Sequence, residues 1–222
     1  MTGTATDPTR NDGHAAPAEV WEEMRDGNAR FVAGEPRHPR QDADRRHELA
    51  AAQTPRAALF GCADSRLAAE IIFDQGLGDL FVVRNAGQVA SDSAIASLEY
   101  AVYALDVSLI IVLAHDACGA VRAAIDSTAL ASPELPPHIW RLIAKIVPAA
   151  RTVLRETDAI DPRELDAEEV GIAHLRNTID DLLASSRLIA DAVAEGRLGI
   201  VGANYRLGEG TAIPHVAVGV DA

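Results

Sequence analysis

The feature that most constrains this chain is a series of short apolar runs in which hydrophobic residues follow one another without polar residues between them. Such continuity is typical of parallel β-strands buried on both faces, whereas a half-exposed strand alternates apolar and polar residues. Segments with helical periodicity separate the runs, so the sequence predicts an α/β fold with a mostly parallel central sheet and flanking helices. The predicted strands are 57–61, 80–83, 108–114 and 198–204, and the predicted helical segments are 66–74, 92–106, 118–130, 138–156 and 164–195.

The last apolar run, 213–220, differs from the others because it contains Pro214. Proline has no backbone N–H to donate to a central ladder, so this run is predicted to be an edge strand, antiparallel to its neighbour.

The N-terminal part of the chain has a different pattern. Residues 1–16 are small, polar and proline-containing, and we expect a disordered tail there. A helix over 18–32 is indicated by apolar residues on one face, and a second helix is predicted over 42–53. Neither helix can form a core alone. We therefore expect a helical arm over 17–54, packed on the main domain or on a partner subunit, and an α/β domain over 55–222.

Composition excludes several classes of function. The chain has 222 residues, and its 33 acidic residues outnumber its 20 basic ones, giving a net charge of −13. Nucleic acids and anionic membranes require a basic face, so we expect neither partner. The opening residues lack the pattern of a signal peptide, and two cysteines are too few for a disulfide scaffold. We expect a cytoplasmic protein whose cysteines are reduced.

Both cysteines follow predicted strands, and each lies beside another potential metal ligand. The motif Cys62-Ala63-Asp64-Ser65-Arg66 follows one strand, and His115-Asp116-Ala117-Cys118 follows another. Ligand sites in open α/β sheets form beyond the carboxyl ends of the strands. Side chains two apart on an extended segment share a side, and residues three apart at a helix start are neighbours. The sequence therefore predicts a metal site.

Two thiolates, an imidazole and a carboxylate form a donor set that favours zinc over magnesium or calcium. Two thiolates already neutralise the ion, so a bound Asp64 would leave a net negative site from which it is readily displaced. Arg66 could hold the displaced carboxylate in a bidentate pair. Asp64 could therefore act as a gate, bound to zinc in one state and to Arg66 in the other.

Three other interpretations of these motifs remain. The cysteines could be buried as small hydrophobic residues, Cys62 and Cys118 could form a disulfide, or a closed site could hold a structural zinc. The other histidines lack ligand spacing and are expected on the surface: His14, His38, His47, His138, His174 and His215.

At these motifs the sequence resembles the β-class carbonic anhydrases, actinobacterial members in particular. The resemblance covers most of the chain from about Trp21 and rests on GCADSRLAAEIIFDQGLGDLFVVRNAG (61–87), SLEYAVYALDV (97–107) and AHDACGAV (114–121). It implies a zinc enzyme, carbonate dehydratase (a lyase), which converts carbon dioxide reversibly to bicarbonate and a proton through zinc-bound hydroxide. The implied zinc ligands are Cys62, Asp64, His115 and Cys118, with Asp64 and Arg66 as the catalytic pair.

The resemblance also implies a substrate wall and an assembly. Gln53 matches an amide that contacts substrate oxygens, Phe81 and Tyr100 match aromatic residues often contributed across a dimer interface, and Ala86 matches a small residue of the cleft. The implied assembly is a homodimer or a homotetramer, a dimer of dimers, in which N-terminal helices clasp the neighbouring subunit.

Some members of the family have a second bicarbonate pocket built from Trp, Arg and Tyr. The matching residues are Leu59, Arg84 and Tyr205, so the missing tryptophan argues against its usual form, and Arg84 is interpreted as a structural charge near the interface. Two alternatives to carbon dioxide hydration stay open. One is hydrolysis of carbonyl sulfide or carbon disulfide on the same fold, and the other is a non-catalytic zinc protein.

Overall fold

The computed structural model describes residues 15–132 and 134–221. Most of the predicted tail, 1–14, lies outside these residues. The described residues form one five-stranded sheet, whose strands are β1 (Ala57–Cys62), β2 (Leu80–Asn85), β3 (Leu109–His115), β4 (Gly199–Tyr205) and β5 (Ala212–Val218). Their order across the sheet is β2-β1-β3-β4-β5. The first four strands in that order are parallel, and β5 is antiparallel to β4 at one edge. The predicted fold class is confirmed, including the edge position of the strand that contains Pro214.

Nine α-helices and one short 3₁₀ helix (Pro162–Glu164) surround the sheet in the described part of the chain. No helix there is long and apolar enough to cross a membrane. The helices are α1 (Pro17–Val32), α2 (Ala43–Glu48), α3 (Ala69–Ile72), α4 (Asp92–Ala104), α5 (Gly119–Asp126), α6 (Pro137–Ile143), α7 (Val147–Glu156), α8 (Ala167–Ser185) and α9 (Arg187–Ala194).

Several predicted helices are shorter or interrupted in the structure. The segments predicted over 42–53 and 66–74 contain only α2 and α3, and the segment over 138–156 is divided into α6 and α7. The long helix predicted over 164–195 ends at Ser185, and α9 starts at Arg187. Ser186 separates the two because its hydroxyl accepts a hydrogen bond from the Ile189 N–H and caps the new helix.

Alternate residues of the central strands enter two hydrophobic cores, one on each face of the sheet. Leu59 of β1 and Ile111 of β3 pack with helices α1, α3, α5, α6 and α7. Their neighbours Phe60 and Val112 pack mainly with α4, α8 and α9. Burial on both faces explains why these strands are continuously apolar in the sequence.

Helix α1 packs on the domain of its own chain. Val20, Trp21 and Met24 are fully buried in the same core as β1 and β3. The Asn28 amide donates hydrogen bonds to two backbone carbonyls of the domain and accepts one from the Ala212 N–H. At Gly27 the helix approaches so closely that a Cβ atom would lie 1.9 Å from the Phe73 carbonyl oxygen. Glycine is therefore required at this contact.

Strand register aligns the two sequence motifs. Cys62, the last residue of β1, pairs with Asn85 of β2, and His115, the last residue of β3, pairs with Tyr205 of β4. Because these strands are parallel, their carboxyl ends meet at one edge of the sheet, where the loops that carry both motifs converge.

Candidate metal centre and active site

Cys62, His115 and Cys118 form a buried group, here called the thiol–imidazole cluster. Cys62 ends β1, His115 ends β3, and Cys118 caps the N-terminus of α5. A turn with Ala117 at a positive φ of 50° carries the chain from β3 into α5. The ligand atoms of the three residues all lie within 4.8 Å of one another. Two distant motifs therefore converge on a volume that suits one metal ion.

The imidazole of His115 is held with one nitrogen directed at the thiols. His115 Nδ1 lies 2.7 Å from the Asp116 carbonyl oxygen, which can only accept, so Nδ1 carries the proton. Nε2 is buried and has no hydrogen-bond partner in the described part of the chain. A backbone carbonyl that fixes the tautomer in this way is usual behind a metal-bound histidine. The unpaired Nε2 is thus an available ligand atom.

The two thiols are free, so the disulfide interpretation is wrong. A hydrogen bond from Cys118 lowers the pKa of Cys62, and the neighbouring His115 and the Gly87 backbone N–H lower it further. The same contact with Cys62, together with burial, raises the pKa of Cys118. Burial would lower the pKa of His115, but the neighbouring Cys62 sulfur outweighs it and raises the value.

These residues fit a metal ion. Two thiols and an unpaired imidazole nitrogen are soft donors at ligand spacing, and burial leaves them few other partners. The cluster supplies three protein ligands, the number that metal sites with an open fourth position provide.

Asp64 lies next to the cluster but is paired with Arg66. The Arg66 guanidinium donates to both carboxylate oxygens, from Nε at 2.9 Å and from Nη2 at 2.7 Å, and the Arg66 backbone N–H donates to Oδ1 at 2.9 Å. This pairing holds the pKa of Asp64 well below its usual range. Asp64 Oδ2 is 3.9 Å from His115 Nε2. The structure therefore has the arginine-paired arrangement of the predicted gate.

The backbone around Asp64 is held by Arg84, whose contact the sequence analysis missed. Its guanidinium donates to the Cys62 carbonyl at 2.9 Å and to the Asp64 carbonyl at 2.5 Å. Both bonds tie the Cys62–Asp64 loop to the end of β2. The sequence signal that could have indicated this contact is a charged residue, Arg84, near the end of an otherwise apolar strand.

Gly87 is a second missed residue, and its N–H donates to Cys62 Sγ at 3.2 Å. Ala86, the predicted cleft residue, precedes it directly and is exposed beside the end of β2. Ala86 is therefore near the cluster within one chain.

The other three predicted substrate residues lie away from the thiol–imidazole cluster. These residues, Gln53, Phe81 and Tyr100, are here called the outer wall. The rings of Phe81 and Tyr100 are 6.1 Å apart, and Gln53 and Tyr100 line one surface cavity of about 630 Å³. Phe81 pairs with Ala58, four residues before Cys62, which corresponds to about 13 Å along the strand. One chain therefore does not bring the outer wall to the cluster.

The predicted surface position of His174 is wrong. It is only 3% exposed and lies on the inner face of α8, where its Nε2 is 2.8 Å from the Gly87 carbonyl oxygen. Helical spacing was the available signal, since His174 lies four residues from both Val170 and Thr178, which are buried on the same face. His14 lies outside the described residues.

Comparisons with known proteins agree with this geometry. The carbonic anhydrase family model matches residues 57–212, which include strands β1 to β4. Carbonic anhydrase 2 of Mycobacterium tuberculosis is 45% identical over 198 residues, covering 89% of this chain and 92% of its own length. A carbonic anhydrase of Mycolicibacterium smegmatis is also 45% identical, covering 87% and 91%. The chain therefore belongs to the β-carbonic anhydrase family.

Solved structures of β-carbonic anhydrases share the fold. The enzyme of Aspergillus fumigatus aligns with a TM-score of 0.69 at 23% identity and covers 89% of each chain. A tetrameric β-carbonic anhydrase of Sordaria macrospora aligns with a TM-score of 0.67 at 22% identity, covering 90% of this chain and 98% of its own.

Proposed function

We propose that this chain is a carbonic anhydrase that uses zinc to hydrate carbon dioxide reversibly to bicarbonate and a proton. The observation that carries the proposal is the unpaired, buried Nε2 of His115, which faces two free thiols beside the Asp64–Arg66 pair. Membership of the carbonic anhydrase family and 45% identity to two mycobacterial carbonic anhydrases support it.

Cys62, His115 and Cys118 would hold the zinc. When bound there, zinc supplies the Lewis acidity that makes a hydroxide nucleophile accessible near neutral pH. The Asp116 carbonyl keeps His115 in the tautomer that leaves Nε2 free, and the Gly87 N–H stabilises negative charge on the Cys62 sulfur. The protein thus fixes the donor atoms before the ion arrives.

Asp64 would orient the attacking water. It is ionised and held by Arg66, and one of its oxygens lies 3.9 Å from the cluster nitrogen. A carboxylate at this position can accept a hydrogen bond from a water beside the cluster and direct an oxygen lone pair at the carbon of the substrate. If Asp64 left Arg66, it could become the fourth ligand and close the site.

A second copy of the chain would bring the outer wall to the cluster. Tyr100 is 51% exposed, and Leu80, Phe81, Val82 and Val83 of the edge strand β2 are only half-buried. Apolar side chains on an edge strand favour coverage by another chain. In a homodimer or dimer of dimers, Gln53 would contact a substrate oxygen, and Phe81, Tyr100 and Ala86 would provide an apolar surface for carbon dioxide.

The proposal extends to organisation and location. We assign 1–16 to a tail, 17–54 to a helical arm and 55–222 to the catalytic domain. Two free thiols fit a reducing compartment, which supports a cytoplasmic location.

The test is stopped-flow carbon dioxide hydration by the zinc-loaded full chain over a range of pH, with carbonyl sulfide hydrolysis measured beside it. Ser65→Ala is the control, because Ser65 is exposed in the same loop between Asp64 and Arg66. We expect rapid hydration in both proteins and much slower turnover of carbonyl sulfide. Comparable efficiency toward carbonyl sulfide, or no hydration, would contradict the proposal. A non-catalytic role is not favoured, since the Asp64–Arg66 pair is formed.

A further inference from the structure

The loop between β2 and α4 contains a hydrogen-bonded connection from helix α8 to the thiol–imidazole cluster. Gly87 donates its N–H to Cys62 Sγ at 3.2 Å, and its carbonyl oxygen lies 2.8 Å from His174 Nε2. The carbonyl can only accept, so Nε2 carries the proton and donates it. The N–H of Gly87 therefore bonds to the cluster, and its carbonyl bonds to α8.

Gly87 has a backbone conformation that favours glycine. Its φ is +76°, and the following Gln88 also has a positive φ of 39°. A Cβ atom at position 87 would lie 2.9 Å from Ala120 Cβ and 2.9 Å from Ile146 Cδ1, so glycine is required. Glycine, however, has the greatest backbone freedom of any residue. Without a fixed carbonyl, its N–H would sample directions that miss the sulfur.

His174 is the side chain that fixes the carbonyl. It is 3% exposed on the inner face of α8, and burial lowers its pKa, which keeps the imidazole neutral. Its Nδ1 is buried with no hydrogen-bond partner in the described part of the chain. An unsatisfied buried nitrogen is destabilising, so an apolar side chain would suit this position better if packing were its only role.

A neighbouring contact shows which part of the loop depends on His174. The hydroxyl of Thr178, one turn further along α8, has a single proton, which it shares between the His174 carbonyl at 2.9 Å and the Gln88 carbonyl at 3.4 Å. Asn85 clamps Val89 through both atoms of its amide group. These bonds hold the loop at Gln88 and Val89, whereas His174 bonds to Gly87 itself.

We propose that His174 is a positioning residue for the metal site. By holding the Gly87 carbonyl it restrains the two backbone dihedrals of Gly87, and this keeps the Gly87 N–H directed at the Cys62 sulfur. The inference rests on the proposed metal-binding role of Cys62. A hydrogen bond to a thiolate withdraws electron density from sulfur and orients its lone pairs. His174 would thus affect how strongly the Cys62 sulfur binds the metal, although it does not contact Cys62.

The test replaces His174 in the full chain and uses Co²⁺ as the probe. His174→Leu removes the donor, and His174→Gln restores one at similar reach. In His174→Leu the thiolate-to-cobalt charge-transfer band should move to longer wavelength, because the sulfur lone pairs are no longer stabilised. Affinity for Zn²⁺, measured by competition with a chromophoric chelator, should fall about 10-fold. Both values should return toward wild type in His174→Gln.

Thr178→Val is the matched control, since it removes a buried donor to the same loop that does not reach Gly87. It should leave the band in place even if the melting temperature falls. A band unchanged in folded His174→Leu, or displaced equally in Thr178→Val, would overturn the proposal. If the leucine variant does not fold, His174→Ala replaces it: a displaced band that returns in His174→Gln supports the role, and a wild-type band in His174→Ala refutes it.

The same spectra separate this inference from the proposed metal site. A wild-type protein with no thiolate-to-cobalt band would refute both. A wild-type band that does not respond to His174→Leu would refute the positioning role and leave the cysteine ligands intact.

Discussion

The thiol–imidazole cluster and the outer wall differ in how completely a single chain builds them. The cluster residues are buried, and backbone groups of Asp116 and Gly87 contact two of them directly. The outer wall is exposed at Gln53 and Tyr100 and is separated from the cluster by most of the length of β1. The proposed assembly accounts for this difference, because one chain would form the metal site and a second copy would supply the outer wall. Four predictions test this division, from the largest effect to the smallest.

Replacing a cluster residue should remove the metal and the activity together. Cys62→Ser, His115→Ala and Cys118→Ser each leave two protein ligands, which should weaken metal binding more than the 10- to 100-fold typical of changes behind the ligands, by about 10³-fold or more. Metal content after dialysis and stopped-flow hydration measure the two effects. Full zinc occupancy in all three variants would contradict the ligand assignment.

Arg66→Ala should separate metal binding from activity. Asp64 loses the side-chain bonds that hold it away from the cluster, so zinc should be retained while hydration falls by about 10²- to 10³-fold. Arg66→Lys should recover little, because lysine cannot form the bidentate pair. Wild-type turnover in Arg66→Ala would refute the gate.

Gln53→Ala should reduce hydration about 10-fold, the value of one hydrogen bond to substrate, and leave zinc content unchanged. Mixing this variant with Cys62→Ser under conditions that exchange subunits is the sharper test. If the wall comes from the neighbouring copy, mixed oligomers combine an intact cluster with an intact wall. Activity should then exceed the mean of the two separate variants. Activity at that mean would place the wall and the cluster in the same chain.

Tyr103→Asp should have the smallest effect on chemistry and a clear effect on assembly. Tyr103 is 63% exposed on α4, one turn from Tyr100, so a charge there should leave the fold and the metal site intact. We expect a lower mass by light scattering and a several-fold loss of activity. The control is Ile160→Asp, since Ile160 is 96% exposed outside the helices. An unchanged mass in Tyr103→Asp would exclude this face from the interface.

Much of the fold and of the cluster could be predicted from the sequence because the signals are local. Continuous apolar runs define β1, β3 and β4, and the register of parallel strands then brings Cys62 close to His115. Helix ends were harder to predict. The long helix predicted over 164–195 is interrupted because the hydroxyl of Ser186 caps α9. The periodicity of apolar residues does not reveal such a competing side-chain bond.

The contacts around the cluster were missed for a different reason. His174 and Gly87 are 87 residues apart, and no spacing rule connects them. The position of His174 in the buried stripe of α8 could have been recognised, but its partner could not, since it depends on the tertiary fold. The bonds from Arg84 to the Cys62–Asp64 loop follow likewise only once β2 is known to lie beside β1.

The two edges of the sheet are unequal, and this limits how copies of the chain could polymerise. At one edge, β5 contains Pro214 and pairs with β4 across an irregularity in register, which makes it a poor template for further strands. At the other edge, β2 is regular along its whole length. If only the β2 edge can pair with another strand, two copies of the sheet can join through their β2 strands. No edge that can pair then remains. Growth in that direction is therefore self-terminating, and a fibre built by continued strand addition is disfavoured.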